Sequence, residues 1–148
     1  RFGIFTRVEL ESREEILYET YAKTINIEAH TMIHMAGKQY VPAIVKYTKT
    51  LADTIIAVRE AGADASVQAG MLDEVSRRLT SVKAALSRLE KVTAQAASMT
   101  DIKEQAFFYK DTVRAAMEEL RTPIDELEMM VDKKVWPVPS YGQLTFEV

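Results

Sequence analysis

Leu72-Asp-Glu-Val75-Ser-Arg-Arg-Leu79-Thr-Ser-Val82-Lys-Ala-Ala-Leu86-Ser-Arg-Leu89 carries the cleanest periodicity in the chain. Its apolar residues recur at alternating steps of three and four, the seam of a helix that packs on other helices. Arg77, Arg78, Lys83, Arg88, Glu90 and Lys91 fall between them and are expected to face water. Toward the C-terminus, Ser98-Met-Thr-Asp101 with Glu104 three residues on predicts a stop followed by a new N-cap. A third seam then runs through Ile102, Ala106, Tyr109, Val113, Ala116, Leu120 and Leu127. Pro123 should bend this helix without ending it, because Ile124, Leu127 and Val131 continue the stripe.

Toward the N-terminus, Gly62 suits a helix stop, and Asp64 or Ser66 caps the next start. The first helix opens on a capping box, Thr6 with Glu9, flanked by Phe5 and Leu10 as a hydrophobic staple. Its stripe beyond Gly37–Pro42 is Tyr40, Ile44, Tyr47, Leu51, Ile55 and Val58, and Pro42 should kink it near Gly37–Val41. The fold class is therefore all-α: a long antiparallel three-helix bundle, with helices over 7–61, 65–98 and 101–134. The first is the longest, so its opening, with Leu10, Leu17, Tyr21 and Ile25, should overhang and need a partner surface.

The last residues read differently. Pro137 and Pro139 exclude helix, while Trp136, Tyr141, Leu144 and Phe146 carry too much apolar surface for a solvated tail. Residues 135–148 are expected to be an extended docking tail with Trp136 as its anchor and Tyr141 or Phe146 completing the contact, on the chain's own bundle of residues 1–134 in preference to a neighbouring chain's overhang.

Composition narrows the class of function. At 148 residues and 47% apolar content, one domain with a real core is expected. A formal net charge of −3 argues against a nucleic-acid surface. Cysteine is absent, which removes disulfide and thiol chemistry. No apolar run is long enough for a membrane helix and no secretory signal is visible, so a cytoplasmic location is expected. The opening Arg1-Phe-Gly-Ile-Phe5 reads as part of a longer polypeptide.

Candidate chemistry is sparse. His30 and His34 lie four apart on one helical face, a spacing that can place two imidazoles on one metal. No third ligand accompanies them, and an exposed or half-buried pair is the expectation. Glu14-Glu15, Glu118-Glu119 and Asp125-Glu126 are expected on outward faces, with Arg114 and Arg121 at pairing distance. No Gly-rich phosphate loop or nucleophile elbow occurs. No residue is assigned a catalytic, cofactor-binding or metal-ligating role.

The ending Lys134-Val-Trp-Pro-Val-Pro-Ser-Tyr-Gly-Gln-Leu-Thr-Phe-Glu-Val148 resembles that of type III glutamine synthetases, a Trp-Pro-x-Pro-x-Tyr-x-x-Leu-x-Phe pattern. Phe5-Thr-Arg-Val-Glu-Leu-Glu-Ser-Arg13, Lys23-Thr-Ile-Asn-Ile-Glu-Ala29, Tyr40-Val-Pro-Ala43, Tyr109-Lys-Asp-Thr-Val113 and Met117-Glu-Glu-Leu-Arg121 extend the likeness along the chain. The resemblance implies the C-terminal helical region of an enzyme that ligates ammonia to glutamate with ATP and Mg or Mn. It places the catalytic residues upstream, on a β-rich core. It also implies homo-oligomeric partners, commonly dodecamers, with this region packing on the catalytic core and neighbouring subunits. His30, His34 and a rather short second turn depart from the family pattern. A stand-alone helical, coiled-coil-like interaction module is the competing reading, and the Trp-Pro-Val-Pro tail argues against it.

Overall fold

The computed structural model describes residues 5–139 and 144–145. Among them the chain is all helical, with no strand. Helix α1 spans Arg7–Met35 and runs through a π turn, Ala36–Tyr40, into α2, Val41–Glu60. Helix α3 is Ser66–Ala97. The third helical stretch is α4, Ile102–Phe108, a second π turn, Tyr109–Val113, and α5, Arg114–Glu128.

Local chemistry explains most of the boundaries. Thr6 Oγ1 accepts from the Glu9 N–H at 3.3 Å, and Glu9 Oε2 accepts from the Thr6 N–H at 2.7 Å, the reciprocal capping box. Phe5 instead carries the Arg13 guanidinium 4.3 Å above its ring. Gly62, at φ 79°, closes α2 in a Schellman motif: its N–H bonds to Arg59 O, and that of Ala63 reaches Val58 O. Asp64 accepts from the Ser66 N–H at the start of α3, and Asp101 from the Glu104 N–H at the start of α4. Gln105 Nε2 donates to Ala96 O at 2.9 Å, tying the end of α3 to the next helix.

The interruption expected at Gly37–Pro42 is the first π turn. Val41 N–H reaches back five residues to Ala36 O. The wider turn relieves the clash that the Pro42 ring would make with the Lys38 carbonyl. Pro123 lies inside α5, which continues to Glu128. The second π turn has neither glycine nor proline in it, and sequence reasoning did not anticipate it.

Two boundaries differ from expectation. The third helix was expected to reach residue 134 but ends at Glu128. Asp132 competes for the backbone there: its carboxylate accepts from the Lys134 N–H at 2.8 Å, and its carbonyl takes the N–H groups of Val135 and Trp136. The tail was expected to be extended throughout. Residues 133–135 form a turn, Pro137 and Val138 a bend, and Leu144–Thr145 have helical backbone.

Ile44, Leu89, Leu120, Leu127, Val75, Val82 and Val113 are fully buried in one continuous core. Arg88 pairs with Glu119, and Arg78 with Glu126 at 3.3 Å, so α3 and α5 run in opposite directions. Tyr18 against Phe107 and Asn26 against Tyr109 show α1 running with the third stretch. Alanines at 22, 29, 36 and 43, seven apart and all buried, give α1 and α2 a close-packing stripe. Leu79 is only half-buried, and Ile102, expected on the third seam, is exposed because it sits in the first turn of α4.

Leu86 touches this core from the middle of α3 and is 3% exposed. Leu86→Ala should destabilise the chain by about 2–5 kcal/mol, measured as a lower urea midpoint. The Glu9 carboxyl is held below the usual carboxylate range by the Thr6 backbone hydrogen bond and then by the Thr6 hydroxyl. A lowered folded value means that the cap is complete above the ordinary glutamate pKa and is lost as pH falls through the lowered one. Amide shifts of residues 7–10 should therefore move toward coil on acidification below about pH 4, and Thr6→Ala should give the same fraying at neutral pH.

Candidate interaction site

Two regions stand apart from the closed core: the opening of α1 and the seat of Trp136. Phe5, Val8, Leu10, Ile16 and Leu17 are all exposed, Val8 to 73% and Leu17 to 68%. Tyr21 and Ile25 were expected in this overhang, yet Tyr21 is half-buried and Ile25 is buried. The bundle covers α1 from about Tyr18 onward because the turn into α4 stands at that height. There, Tyr18 packs on Phe107 with ring centroids 6.0 Å apart. Lys103 lies 5.7 Å above the Tyr18 ring and 3.6 Å from Glu14. Tyr18 donates to Glu14 at 2.8 Å. That bond, and then Lys103, hold the Glu14 carboxyl below its usual range, while the same bond pushes the Tyr18 hydroxyl up.

Trp136 is 8% exposed and lies against Tyr40, centroids 5.0 Å apart and planes tilted by 39°. The Asp132 turn reverses the chain after α5 and delivers the indole to the helix at the first π turn. Val135 and Val138 pack beside it. Burial, and then Glu128 and Asp125, push the Tyr40 hydroxyl above its ordinary value. Tyr141 and Phe146, one or other of which was expected to complete this contact, lie outside the described residues. Next to Tyr40 an open groove runs between α1 and α5, lined by Met32, Met35, Leu120 and Ile124.

His30 and His34 are both exposed on α1. Among the described residues no group of three or more His, Cys, Asp or Glu converges as a metal site. The acidic pairs are spread over outward faces: Asp125 meets Arg121 at 3.1 Å, Glu119 meets Arg88, and Glu126 meets Arg78. The Tyr109 hydroxyl donates to Asn26 Oδ1 at 3.0 Å, a half-buried link that sequence reasoning missed. Nothing in the spacing of two residues 83 apart signals it.

Fold and site together define an all-helical domain with a closed core and a bare apolar helix end. A sequence model of the glutamine synthetase C-terminal domain matches residues 1–59. A glutamine synthetase of Butyrivibrio fibrisolvens is 37% identical over the whole chain, which spans 21% of that protein. One of Bacteroides fragilis and the type-3 glutamine synthetase of Dictyostelium discoideum are each 30% identical over 97% of the chain and a fifth of their own length. The chain corresponds to the C-terminal region of glutamine synthetases, type-3 among them, and spans about a fifth of those relatives. Among the described residues no helix is long and apolar enough to cross a membrane.

The chain has a single tryptophan, so its emission reports the seat directly. A blue-shifted maximum is expected. Asp132→Ala, which removes the side-chain acceptor of the turn, should move that maximum to the red; an unchanged spectrum would show that the Asp132 carboxylate does not hold the indole.

Proposed function

We propose that the chain is the C-terminal, non-catalytic helical domain of a glutamine synthetase, the ligase that joins ammonia to glutamate with ATP and a divalent metal. Its task on this reading is structural. It is a three-helix bundle that packs on the catalytic part of its polypeptide and contributes to a homo-oligomer. Trp136 closes the bundle against Tyr40.

The bare apolar opening of α1 carries the structural reading. A helix end with five large exposed apolar groups keeps a hydrophobic surface in water unless another surface covers it. At about 25 cal/mol per Å² of apolar area, covering even part of that patch adds several kcal/mol to an association. End-to-end likeness to glutamine synthetases about five times as long supports a parent large enough to provide such a cover.

Truncation of the full-length enzyme before residue 1 tests this. Oligomer mass and thermal stability should fall, while turnover per intact assembly stays near that of the parent. Normal assembly mass with collapsed turnover would place this region in the active site instead.

A further inference from the structure

The shape of the α1 opening says more about its partner than that one exists. At about 100° per residue, Val8 and Ile16 lie on one strip of α1, and Leu10 and Leu17 on another. Their mean directions are about 150° apart across the outward side of the helix, and about 210° apart across the side that continues the buried line of Ala22, Ile25 and Ala29, where Arg7 and Glu11 pair at 2.7 Å. The stripe that packs α1 into the bundle is thus polar at its opening, and the apolar groups are on its two flanks. A helix lying on a flat surface buries one stripe of roughly 100°. Two flanking strips call for walls on both sides.

Charge narrows the partner further. From Phe5 to Leu17 there are four glutamates, Glu9, Glu11, Glu14 and Glu15, against two arginines, Arg7 and Arg13, a net of −2. A second copy of the same segment would bring like charge to like. A cleft rimmed by lysine or arginine would be drawn to it. Resting on the assembly role above, we infer that the opening of α1 is a plug. It inserts between two apolar walls of a basic-rimmed cleft on the remainder of its own polypeptide. The relatives are about five times as long as this chain, so most of the parent that could form such a cleft lies beyond it. Tethering to that remainder gives the plug a high effective concentration.

The test is amide hydrogen exchange of residues 5–17 in the assembled full-length protein, comparing wild type, Ile16→Gln and Leu17→Gln. Both positions are exposed in the chain's own fold, and glutamine is a good helix former, so the bundle itself should stand. Wild-type residues 5–17 should exchange far more slowly than a bare helix. Each substitution alone should speed that exchange by about tenfold or more, and high ionic strength should speed it as well. If only one of the two variants responds, the helix lies flat and the plug is overturned while the assembly role stands. Protection that vanishes when the assembly is diluted to single subunits assigns the cleft to a neighbouring copy and overturns the proposal. Indifference to salt removes the basic rim. Wild-type exchange as fast as a bare helix overturns both readings.

Discussion

Burial of α3 against α2 on one side and α5 on the other is the constraint from which the rest of the molecule follows. Val75, Val82, Leu86 and Leu89 are at most 3% exposed, and they hold the two neighbours at fixed heights along a helix of 32 residues. The stretch formed by α1, the first π turn and α2 has 29, 5 and 20 residues. At about 1.5 Å per residue it is tens of ångströms longer than α3. Once α2 is docked on α3 through the Gly62 turn, the excess length has only one place to go. It leaves the first turns of α1 beyond the end of the bundle, and their apolar groups bare.

The two π turns show how long seams are kept in register. A straight α-helix drifts around its axis relative to a heptad stripe, and one extra residue in a turn resets it. At Ala36–Tyr40 that residue also makes room for Pro42, so a side chain that would break the helix is tolerated inside it. At Tyr109–Val113 the same device leaves Tyr109 and Val113 both buried, with the Tyr109 hydroxyl on Asn26. The first π turn has a further role, since Tyr40 ends it and forms the platform on which Trp136 rests. The turn after α5 and the interruption within the first helical stretch, about ninety residues apart in sequence, are therefore halves of one contact.

Charged groups have a consistent place in this design. Arg88 with Glu119 and Arg78 with Glu126 clamp α3 to α5 at the rim, where solvent screens them and each contributes little alone. Glu14, Tyr18 and Lys103 form a similar rim where α1 meets α4. Below that rim α1 carries the exposed pair Arg7 and Glu11 on the side that continues its buried line.

Residue types alone determined the helical class, the seam of α3, the capping box at Thr6, the stop at Gly62 and the break near Pro42. Each is a local signal, set by side-chain periodicity or by backbone chemistry within a few residues. The bareness of the α1 opening was legible as a length mismatch, and the candidate site was legible to that extent. Tertiary structure alone decided where cover begins, because that depends on where the turn into α4 stands beside Tyr18. It decided that α5 stops at Glu128, where the Asp132 carboxylate and the Trp136 seat together outweigh continued helix. It also decided the second π turn and the Asn26–Tyr109 bond, which arise from packing between elements far apart in the chain. No neighbouring residue encodes them, since the forces that make them exist only once the helices have met.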